Sequence, residues 1–300
     1  MMMPAPKPVK RFYVLGNPIA QSRSPEIHAA FAVQVAEQIN WTVDYQRHQV
    51  PFGEFTTHIN ALRMKGVSGV NVTVPFKLDA FSCATRVSTR AALARAANTL
   101  KFDGDEIYAD NTDGVGLLTD ITKNLKLNLR GKNALLLGAG GAAMGVAGVL
   151  LDAQLAGLSV LNRSHDKAIA LAANFAKHGN IAVLQAADLA AHKFDVVINA
   201  TSAALTPMTG HDAITRTPIW ANLAPLRAGG LAYDMMYGAT PTAFMVDMAA
   251  LAAKNSAQIT VADGLGMLVE QAAEAFNIWH SVRPQTMPVI AQIRAQLTSK

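Results

Sequence analysis

Short apolar runs, each followed by a stretch with helical or turn character, recur along the chain in two series. Such alternation is typical of open α/β layers with largely parallel strands. The first series predicts strands over residues 12–15, 42–50, 67–74, 99–102 and 107–109, the last two forming a hairpin. Helices are predicted over residues 25–38, 52–64 and 115–125, with further helical segments up to about residue 96.

The alternation restarts at Asn133 and forms the second series. Its strands are predicted over residues 134–137, 158–161, 181–184, 195–199, 231–235 and 259–261. A helix is predicted over residues 241–254, and the stretch from Gly264 to Val282 reads as a long amphipathic helix. The second series therefore predicts a domain over residues 114–263, inserted into a discontinuous domain of residues 1–113 and 264–300.

The turn after the first strand of the second series carries a glycine fingerprint. Gly138, Gly140 and Ala143 stand at the G-x-G-x-x-A spacing, before a small-residue apolar stretch suited to a closely packed helix. The first glycine makes the tight turn, the second admits a pyrophosphate, and the third small residue lets helix and strand pack closely. The helix N-terminus adds unpaired N–H groups for the phosphates. This stretch predicts a dinucleotide-binding domain.

The residues at the end of the next predicted strand, 158–161, indicate whether the cofactor is NAD or NADP. NAD-binding chains usually carry a carboxylate there for the ribose 2′-hydroxyl, but this chain has Asn162-Arg163-Ser164. An arginine fits a 2′-phosphate, and Lys167 would add charge. The alternative is a solvent-exposed Arg163 beside Ser164 acting as an ordinary N-cap. We interpret the pattern as NADP binding.

Composition narrows the function classes. With 300 residues and 51% hydrophobic content, the chain can bury a sizeable core in about two domains. Its net charge is +5, but the 26 Lys and Arg are scattered, which favours anionic small ligands over nucleic acid. The single cysteine, Cys83, excludes an internal disulfide and a cysteine zinc cluster.

Motif searches exclude several other classes. The histidines show no metal spacing, and no G-x-S-x-G elbow is present. We expect no metal cofactor and no simple hydrolase. The N-terminus lacks a signal-peptide core and no stretch reaches membrane length, so a cytoplasmic location without membrane contact is predicted. The sequence leaves open whether the chain is a monomer or a homodimer.

Candidate chemistry lies in the first series. Lys77 follows Pro75 near a predicted helix start, where a cation does not stabilise the helix, although a solvated surface lysine remains the alternative. Asp113 fits an N-cap, and a capping carboxylate can also hold a lysine with its other oxygen. Ser22 and Ser24 could bind a carboxylate, or Ser24 could simply cap the following helix. Three uncharged groups suit a polyhydroxylated ligand: Thr73, Asn98 and Gln271.

Taken together, these stretches resemble the shikimate dehydrogenase family over nearly the whole chain. The matching motifs are GNPIAQSRSPEIH (16–28), NVTVPFK (71–77), AANT (96–99), DNTDG (110–114), GAGGAA (138–143), NATS (199–202), YDMMY (233–237) and DGLGMLVEQAAEAF (263–276). The pair NVTVPFK and DNTDG is far more specific than the glycine turn. The resemblance implies an α/β fold in two domains: a Rossmann-type, doubly wound NADP-binding domain inserted in a discontinuous, open α/β substrate domain.

The resemblance also implies an activity and residue roles. The activity is the reversible NADPH-dependent reduction of 3-dehydroshikimate to shikimate in aromatic amino-acid biosynthesis, with Lys77 and Asp113 as the catalytic pair. The residues implied for the substrate are Ser22, Ser24 and Tyr237 at its carboxylate, and Thr73, Lys77, Asn98, Asp113 and Gln271 around its hydroxyls. The residues implied for the cofactor are Gly138, Ala139, Gly140, Gly141 and Ala142 at the pyrophosphate, Asn162, Arg163, Ser164 and Lys167 at the 2′-phosphate, and Thr201, Met235 and Gly264 at the nicotinamide end.

Three positions depart from the family pattern. Met144 stands where members commonly carry Arg, Lys167 replaces a second Arg, and the segment after Tyr237 is shorter than the common form. Two other functions stay open. One is a quinate/shikimate dehydrogenase with relaxed cofactor use, against which Asn162-Arg163 argues. The other is a non-catalytic dinucleotide sensor, which would be expected to have lost Lys77 or Asp113.

Overall fold

A computed structural model describes residues 7–201, 218–224 and 226–299 of the chain. By internal contacts the chain divides into two compact units. Unit 1 consists of two segments, the chain up to Gly116 and Leu268–Gln296. Unit 2 consists of Leu117–Met267 and the residues after Gln296. The long helix Leu265–His280 begins in unit 2 and continues in unit 1.

Unit 1 contains a six-stranded sheet in the order β2-β1-β3-β5-β6-β4. Its strands are β1 (Val9–Gly16), β2 (Thr42–Gln49), β3 (Gly69–Val72), β4 (Arg86–Val87), β5 (Thr99–Asp103) and β6 (Glu106–Asp110). β1 is parallel to β2 and β3, whereas β5 is antiparallel to both β3 and β6. The carboxyl ends of β1, β3 and β6 therefore share one sheet edge with the amino end of β5.

Unit 2 contains a second six-stranded sheet, whose described strand pairs are all parallel, in the order β12-β11-β10-β7-β8-β9. Its strands are β7 (Asn133–Leu137), β8 (Gly157–Leu161), β9 (Ile181–Val183), β10 (Val196–Asn199), β11 (Gly230–Asp234) and β12 (Ile259–Ala262). Numbered within the unit this is the order 3-2-1-4-5-6, which defines the Rossmann fold. The order reverses between β7 and β10, where such folds bind their ligand. The predicted fold class is confirmed.

Helices make up the rest of the regular structure in the described residues. The α-helices are Ser24–Gln34, Phe55–Met64, Lys77–Ser82, Thr89–Ala94, Asp113–Thr119, Gly141–Asp152, His165–Phe175, Ala243–Lys254, Leu265–His280 and Met287–Thr298. A π-helical turn spans Asp120–Asn124 and a 3₁₀ segment spans Ala186–Ala191. Among the helices of the described residues, none has the length and hydropathy that a bilayer crossing requires.

Several predicted boundaries were wrong for local reasons. The helix predicted from residue 52 begins at Phe55, because Gly53 adopts φ +82° in a turn. The helix predicted to residue 38 ends at Gln34. The apolar residues Val35 and Ile39 are buried beyond the helix end, and they extended the helical spacing of the sequence. The helical stretch predicted up to residue 96 is divided by the short strand β4. The helix Met287–Thr298 was not predicted.

Candidate functional site

The sheet edge of unit 1 brings together residues that are distant in sequence. Cross-strand partners at this edge are Asn71 with Thr99, and Thr99 with Asp110. The helix beginning at Lys77 follows β3, and the helix beginning at Asp113 follows β6. Because β3, β5 and β6 are neighbours, the two helix starts meet.

Lys77 and Asp113 form an ion pair at this edge. The Lys77 Nζ lies 2.5 Å from the Asp113 Oδ2, and the two side chains are 21% and 9% exposed. The second oxygen of Asp113 accepts a hydrogen bond from the Asn98 amide nitrogen at 2.8 Å. The carboxylate is therefore held at both oxygens, and the ammonium keeps part of its surface open for a ligand.

Asn98 is the buried centre of the site, with 3% of its surface exposed. Its Nδ2 also lies 3.0 Å from the Thr112 hydroxyl and 3.3 Å from the Gln271 Oε1. Its Oδ1 accepts from the Thr112 backbone N–H at 2.8 Å. These contacts on both sides of the amide fix its orientation.

The helix that carries Gln271 is held to the same edge by a charge network. Asp110, at the end of β6, is 2% exposed and receives both Arg90 Nε and Nη2, at 2.7 and 2.8 Å. The same Nη2 contacts Glu274 at 2.8 Å, one helical turn after Gln271. The carboxylates on either side of this arginine raise its pKa, so the bridge stays charged.

The serine loop follows β1 at the same edge. The Ser22 and Ser24 hydroxyls lie 3.3 Å apart, and Ser24 is buried. The N-cap position of the following helix is Arg23, so the simple capping role considered for Ser24 was wrong. Thr73 lies next to this loop, because its backbone N–H donates to Leu15 at 2.9 Å and the Asn17 N–H donates to Val74 at 3.1 Å.

Seven predicted substrate residues thus lie at one edge of unit 1: Ser22, Ser24, Thr73, Lys77, Asn98, Asp113 and Gln271. We call this group the edge site. The eighth, Tyr237, belongs to unit 2, where it is partly buried three residues after β11.

The glycine turn of unit 2 has the geometry that a phosphate requires. Gly138 has φ +106°, and a Cβ there would lie 3.1 Å from the Ala200 carbonyl oxygen, so a larger residue would be strained. Gly140 and Gly141 face open space, with nothing in the described structure within 4 Å of an added Cβ. Gly140 is also the N-cap of the next helix and has no side chain to cap it. The turn therefore leaves helix N–H groups free for a pyrophosphate.

The residues after β8 form a second polar group. Asn162 donates to the Ser164 carbonyl at 2.9 Å, while Arg163 and Lys167 are exposed. Ser164 is the N-cap of the helix His165–Phe175, but within the described residues its hydroxyl makes no capping bond. The exposed Arg163 and the N-cap position of Ser164 agree with the capping alternative, which lacks only the capping bond. Two cations, a hydroxyl and a helix N-terminus also suit a phosphate.

The ends of β10 and β11 are fixed by a buried carboxylate. Asp234, which is 1% exposed, accepts from the Asn199 amide at 3.1 Å and the Thr242 hydroxyl at 2.6 Å. Burial raises the pKa of Asp234. Asn199 in turn accepts from the Thr201 hydroxyl at 2.7 Å. Gly264 lies against this edge, because an added Cβ would overlap the Met235 carbonyl.

Sequence reasoning did not assign several of these positions. Asn71, Thr112, Asn199 and Asp234 lie within the recognised motifs, but nothing in their spacing distinguishes structural from binding roles. Ser202, which ends the NATS match, lies outside the described residues. In the described part of the chain, no group of His, Cys, Asp or Glu is arranged to hold a metal ion.

The parallel sheet of unit 2 and its open glycine turn define a protein of the dinucleotide-binding dehydrogenase class. Comparison with known families makes this specific. Residues 14–100 match the model of the shikimate dehydrogenase substrate binding domain, residues 120–220 that of shikimate / quinate 5-dehydrogenase, and residues 264–294 that of the shikimate 5′-dehydrogenase C-terminal domain. The chain belongs to the shikimate dehydrogenase family.

Individual relatives agree with this assignment. The shikimate dehydrogenase (NADP(+)) of Herminiimonas arsenicoxydans is 49% identical, over 96% of this chain and 98% of the relative. An Ael1 enzyme from Pseudomonas putida is 40% identical with a TM-score of 0.80, covering 94% of this chain and 97% of that one. The Thermus thermophilus enzyme, solved with NADP(H) and shikimate, is 29% identical with a TM-score of 0.77, covering 96% and 100%. The predicted family, enzyme class and NADP cofactor are confirmed.

Proposed function

We propose that the chain catalyses the reversible NADPH-dependent reduction of 3-dehydroshikimate to shikimate, a step of aromatic amino-acid biosynthesis. The observation that carries this proposal is the ion pair of Lys77 with Asp113, 2.5 Å apart and braced by Asn98. The Thermus thermophilus relative, solved with both shikimate and NADP(H), supports the same choice of substrate.

Lys77 would transfer the proton. When bound, NADPH supplies the hydride that reduces the ketone carbon. Negative charge then develops on the ketone oxygen, and the Lys77 ammonium donates a proton to that oxygen, leaving a neutral amine and an alcohol. In the oxidation direction the neutral amine accepts the alcohol proton. Asp113 holds the amine in place beside the reacting oxygen.

The other members of the edge site would orient the substrate. Ser22 and Ser24, whose hydroxyls are 3.3 Å apart, suit a carboxylate, and we propose Tyr237 as its third ligand. The substrate hydroxyls would be bound by Thr73, Asn98, Asp113 and Gln271. Because Asn98 already contacts Asp113 and Gln271, these groups can bind one hydroxyl-rich ring together.

Unit 2 would hold NADP in three places. The pyrophosphate would lie on the glycine turn, residues 138–142, where Gly140 and Gly141 leave open space. The 2′-phosphate would contact Asn162, Arg163, Ser164 and Lys167. The nicotinamide end would contact Thr201, Met235 and Gly264. The cytoplasmic location remains a prediction from the sequence.

Turnover of shikimate and of quinate, each with NADP and with NAD, tests this function. We expect shikimate with NADP to be the best pair by at least about tenfold in kcat/KM, since the pocket residues and Arg163 select both partners. Faster turnover of quinate, or equal use of NAD, would replace the proposal with a quinate/shikimate dehydrogenase of relaxed cofactor use. No turnover with any pair would support a non-catalytic sensor.

A further inference from the structure

Tyr45, on β2, lies in unit 1 outside every recognised motif, yet its hydroxyl is directed at the edge site. The hydroxyl donates to the Asn71 Oδ1 at 2.7 Å and also forms a hydrogen bond with the Ser24 side chain. The ring is stacked on His28, with centroids 4.1 Å apart and planes 6° from parallel. Stacking and hydrogen bonding together restrict the ring, so the phenol oxygen has a defined position.

The protonation state of Tyr45 sets the direction of this hydrogen bond. Burial raises the pKa of Tyr45 well above its ordinary value, so the phenol stays protonated in the working pH range. Because the neutral phenol donates to the Asn71 Oδ1, the oxygen of this amide faces Tyr45 and its Nδ2 donor faces away from Tyr45. This nitrogen contacts the Thr99 hydroxyl at 3.1 Å and the Asn98 carbonyl at 3.2 Å.

Thr99 continues the same donor-to-acceptor order from Asn71 to Asn98. A hydroxyl has one hydrogen, and because Thr99 Oγ1 accepts from Asn71, its hydrogen is available for Asn98 Oδ1 at 3.1 Å. Because the Asn98 Oδ1 faces Thr99, the amide nitrogen Nδ2 faces Asp113 and donates to its Oδ1 at 2.8 Å. Asn71, Asn98 and Thr99 are 6%, 3% and 0% exposed, so water does not compete for these bonds.

We propose that Tyr45 is a positioning residue for proton transfer, acting through Asn71 and Thr99 on the Asn98 amide that braces Asp113. Without the Tyr45 O–H, Asn71 Oδ1 loses this donor and the Asn71 amide is held only through its Nδ2 contacts with Thr99 and the Asn98 carbonyl. The support for Asn98 is then weakened but not removed, because the Thr112 backbone N–H still donates to Asn98 Oδ1, so a partial loss of rate is expected. This inference rests on the proposed function, in which Asp113 holds Lys77. Tyr45 itself is not placed in contact with the reacting atoms.

Tyr45→Phe tests the proposal, because it removes the O–H and keeps the ring stacked on His28. We expect kcat for shikimate oxidation to fall about 3- to 10-fold, the effect of losing one neutral hydrogen bond, with KM for shikimate and NADP within about twofold. Tyr13→Phe, on the neighbouring strand β1, is the matched control, because it also removes a phenol hydroxyl in unit 1 but at a residue outside this chain of bonds, so its kcat should equal that of the wild type.

A second pair of variants tests the link at Thr99. Thr99→Val keeps the shape without the hydroxyl and should lower kcat at least as much as Tyr45→Phe, whereas Thr99→Ser should restore most of the rate. Combining Tyr45→Phe with Thr99→Val should cost less than the product of the two losses, since both act on the same amide.

Three results would overturn the positioning role: a wild-type kcat in Tyr45→Phe, equal losses in Thr99→Ser and Thr99→Val, or an effect on KM alone. The wild-type enzyme separates this inference from the proposed function. If it does not oxidise shikimate with NADP, the function is wrong, whereas turnover in the wild type with no change in Tyr45→Phe refutes the positioning role alone.

Discussion

Lys77 Nζ and Asp113 Oδ2 lie 2.5 Å apart although 36 positions separate them in sequence. Each stands at the first residue of a helix, and the two helices follow neighbouring parts of one sheet edge. The Asp113 side chain is 9% exposed and that of Lys77 is 21% exposed. The pair is therefore enclosed enough for strong electrostatic contact and open enough for the amine to reach a ligand.

Removal of the proton carrier should abolish most catalysis. We expect Lys77→Met, which keeps the side-chain length but has no transferable proton, to lower kcat by about 10²- to 10⁴-fold, with much less change in KM. Steady-state kinetics of shikimate oxidation measure both constants. Lys65→Met, at an exposed position of the same unit, is the matched control and should behave as wild type. Near-normal turnover in Lys77→Met would refute the assignment.

A double-mutant cycle tests whether the pair acts as a unit. Asp113→Asn keeps the side-chain shape but removes the charge that holds the amine, and we expect it to lower kcat as well. Combined with Lys77→Met, the two changes should cost less than the product of the separate losses, because the second removes little once the first has acted. Strictly multiplicative losses would show that Lys77 and Asp113 act independently.

Cofactor selection should depend on Arg163. It is exposed two residues after β8, and we propose the 2′-phosphate as its partner, because a guanidinium can bind a phosphate through two parallel hydrogen bonds. Arg163→Ala should raise KM for NADP about 10- to 100-fold, in line with loss of a charge-assisted contact, and leave KM for NAD nearly unchanged. Arg130→Ala, exposed in the same unit, controls for a general loss of positive charge. Equal effects on both cofactors would contradict this role.

The serine loop should affect binding more than turnover. Ser22→Ala and Ser24→Ala should each raise KM for shikimate, because the substrate carboxylate does not change during the reaction. We expect about 10- to 100-fold for each, as for one hydrogen bond to a charged group. Ser68→Ala, at a partly buried serine in the loop before β3, is a suitable control. A drop in kcat at unchanged KM would place the serines at the reacting centre instead.

The sequence predicted the Rossmann unit more closely than unit 1. Buried parallel strands read as continuous apolar runs, and each of the strands β7 to β12 ends within one residue of its predicted carboxyl end. Unit 1 uses a two-residue strand, Arg86–Val87, and a turn at Gly53. A two-residue strand is too short to show a periodic pattern, and a turn has none.

Proximity within the edge site could be predicted only through the motif resemblance. Spacing alone favoured a surface position for Lys77 and a capping role for Asp113, and neither shows that β3 and β6 flank the same strand. The residues that support the edge site from behind, such as Tyr45, were harder still to predict from the sequence. Tyr45 lies in a strand whose residues are mostly exposed or partly buried, so its inward hydroxyl leaves no trace in the sequence pattern.

Buried histidine should make unit 1 sensitive to acid. His28 is 0% exposed, and burial, with the nearby His280, lowers its pKa to about 3. In the unfolded chain a histidine titrates near 6.5, so below about pH 6.5 the unfolded state binds the extra proton and stability falls as the pH drops. The contribution of His28 is therefore complete above about pH 6.5 and is lost progressively toward about pH 3.

His28→Phe removes this titration while keeping an aromatic ring beside Tyr45. Between pH 7 and pH 5 we expect the wild type to lose about 2 kcal/mol more unfolding free energy than His28→Phe. Urea unfolding followed by tryptophan fluorescence measures the difference, since Trp279 lies 5.4 Å from His28, between ring centroids. His178→Gln, at an exposed histidine, should keep the wild-type pH dependence. If wild type and His28→Phe lose the same free energy over this range, His28 does not carry the acid sensitivity, and His280, whose pKa burial lowers to about 4, becomes the next group to test.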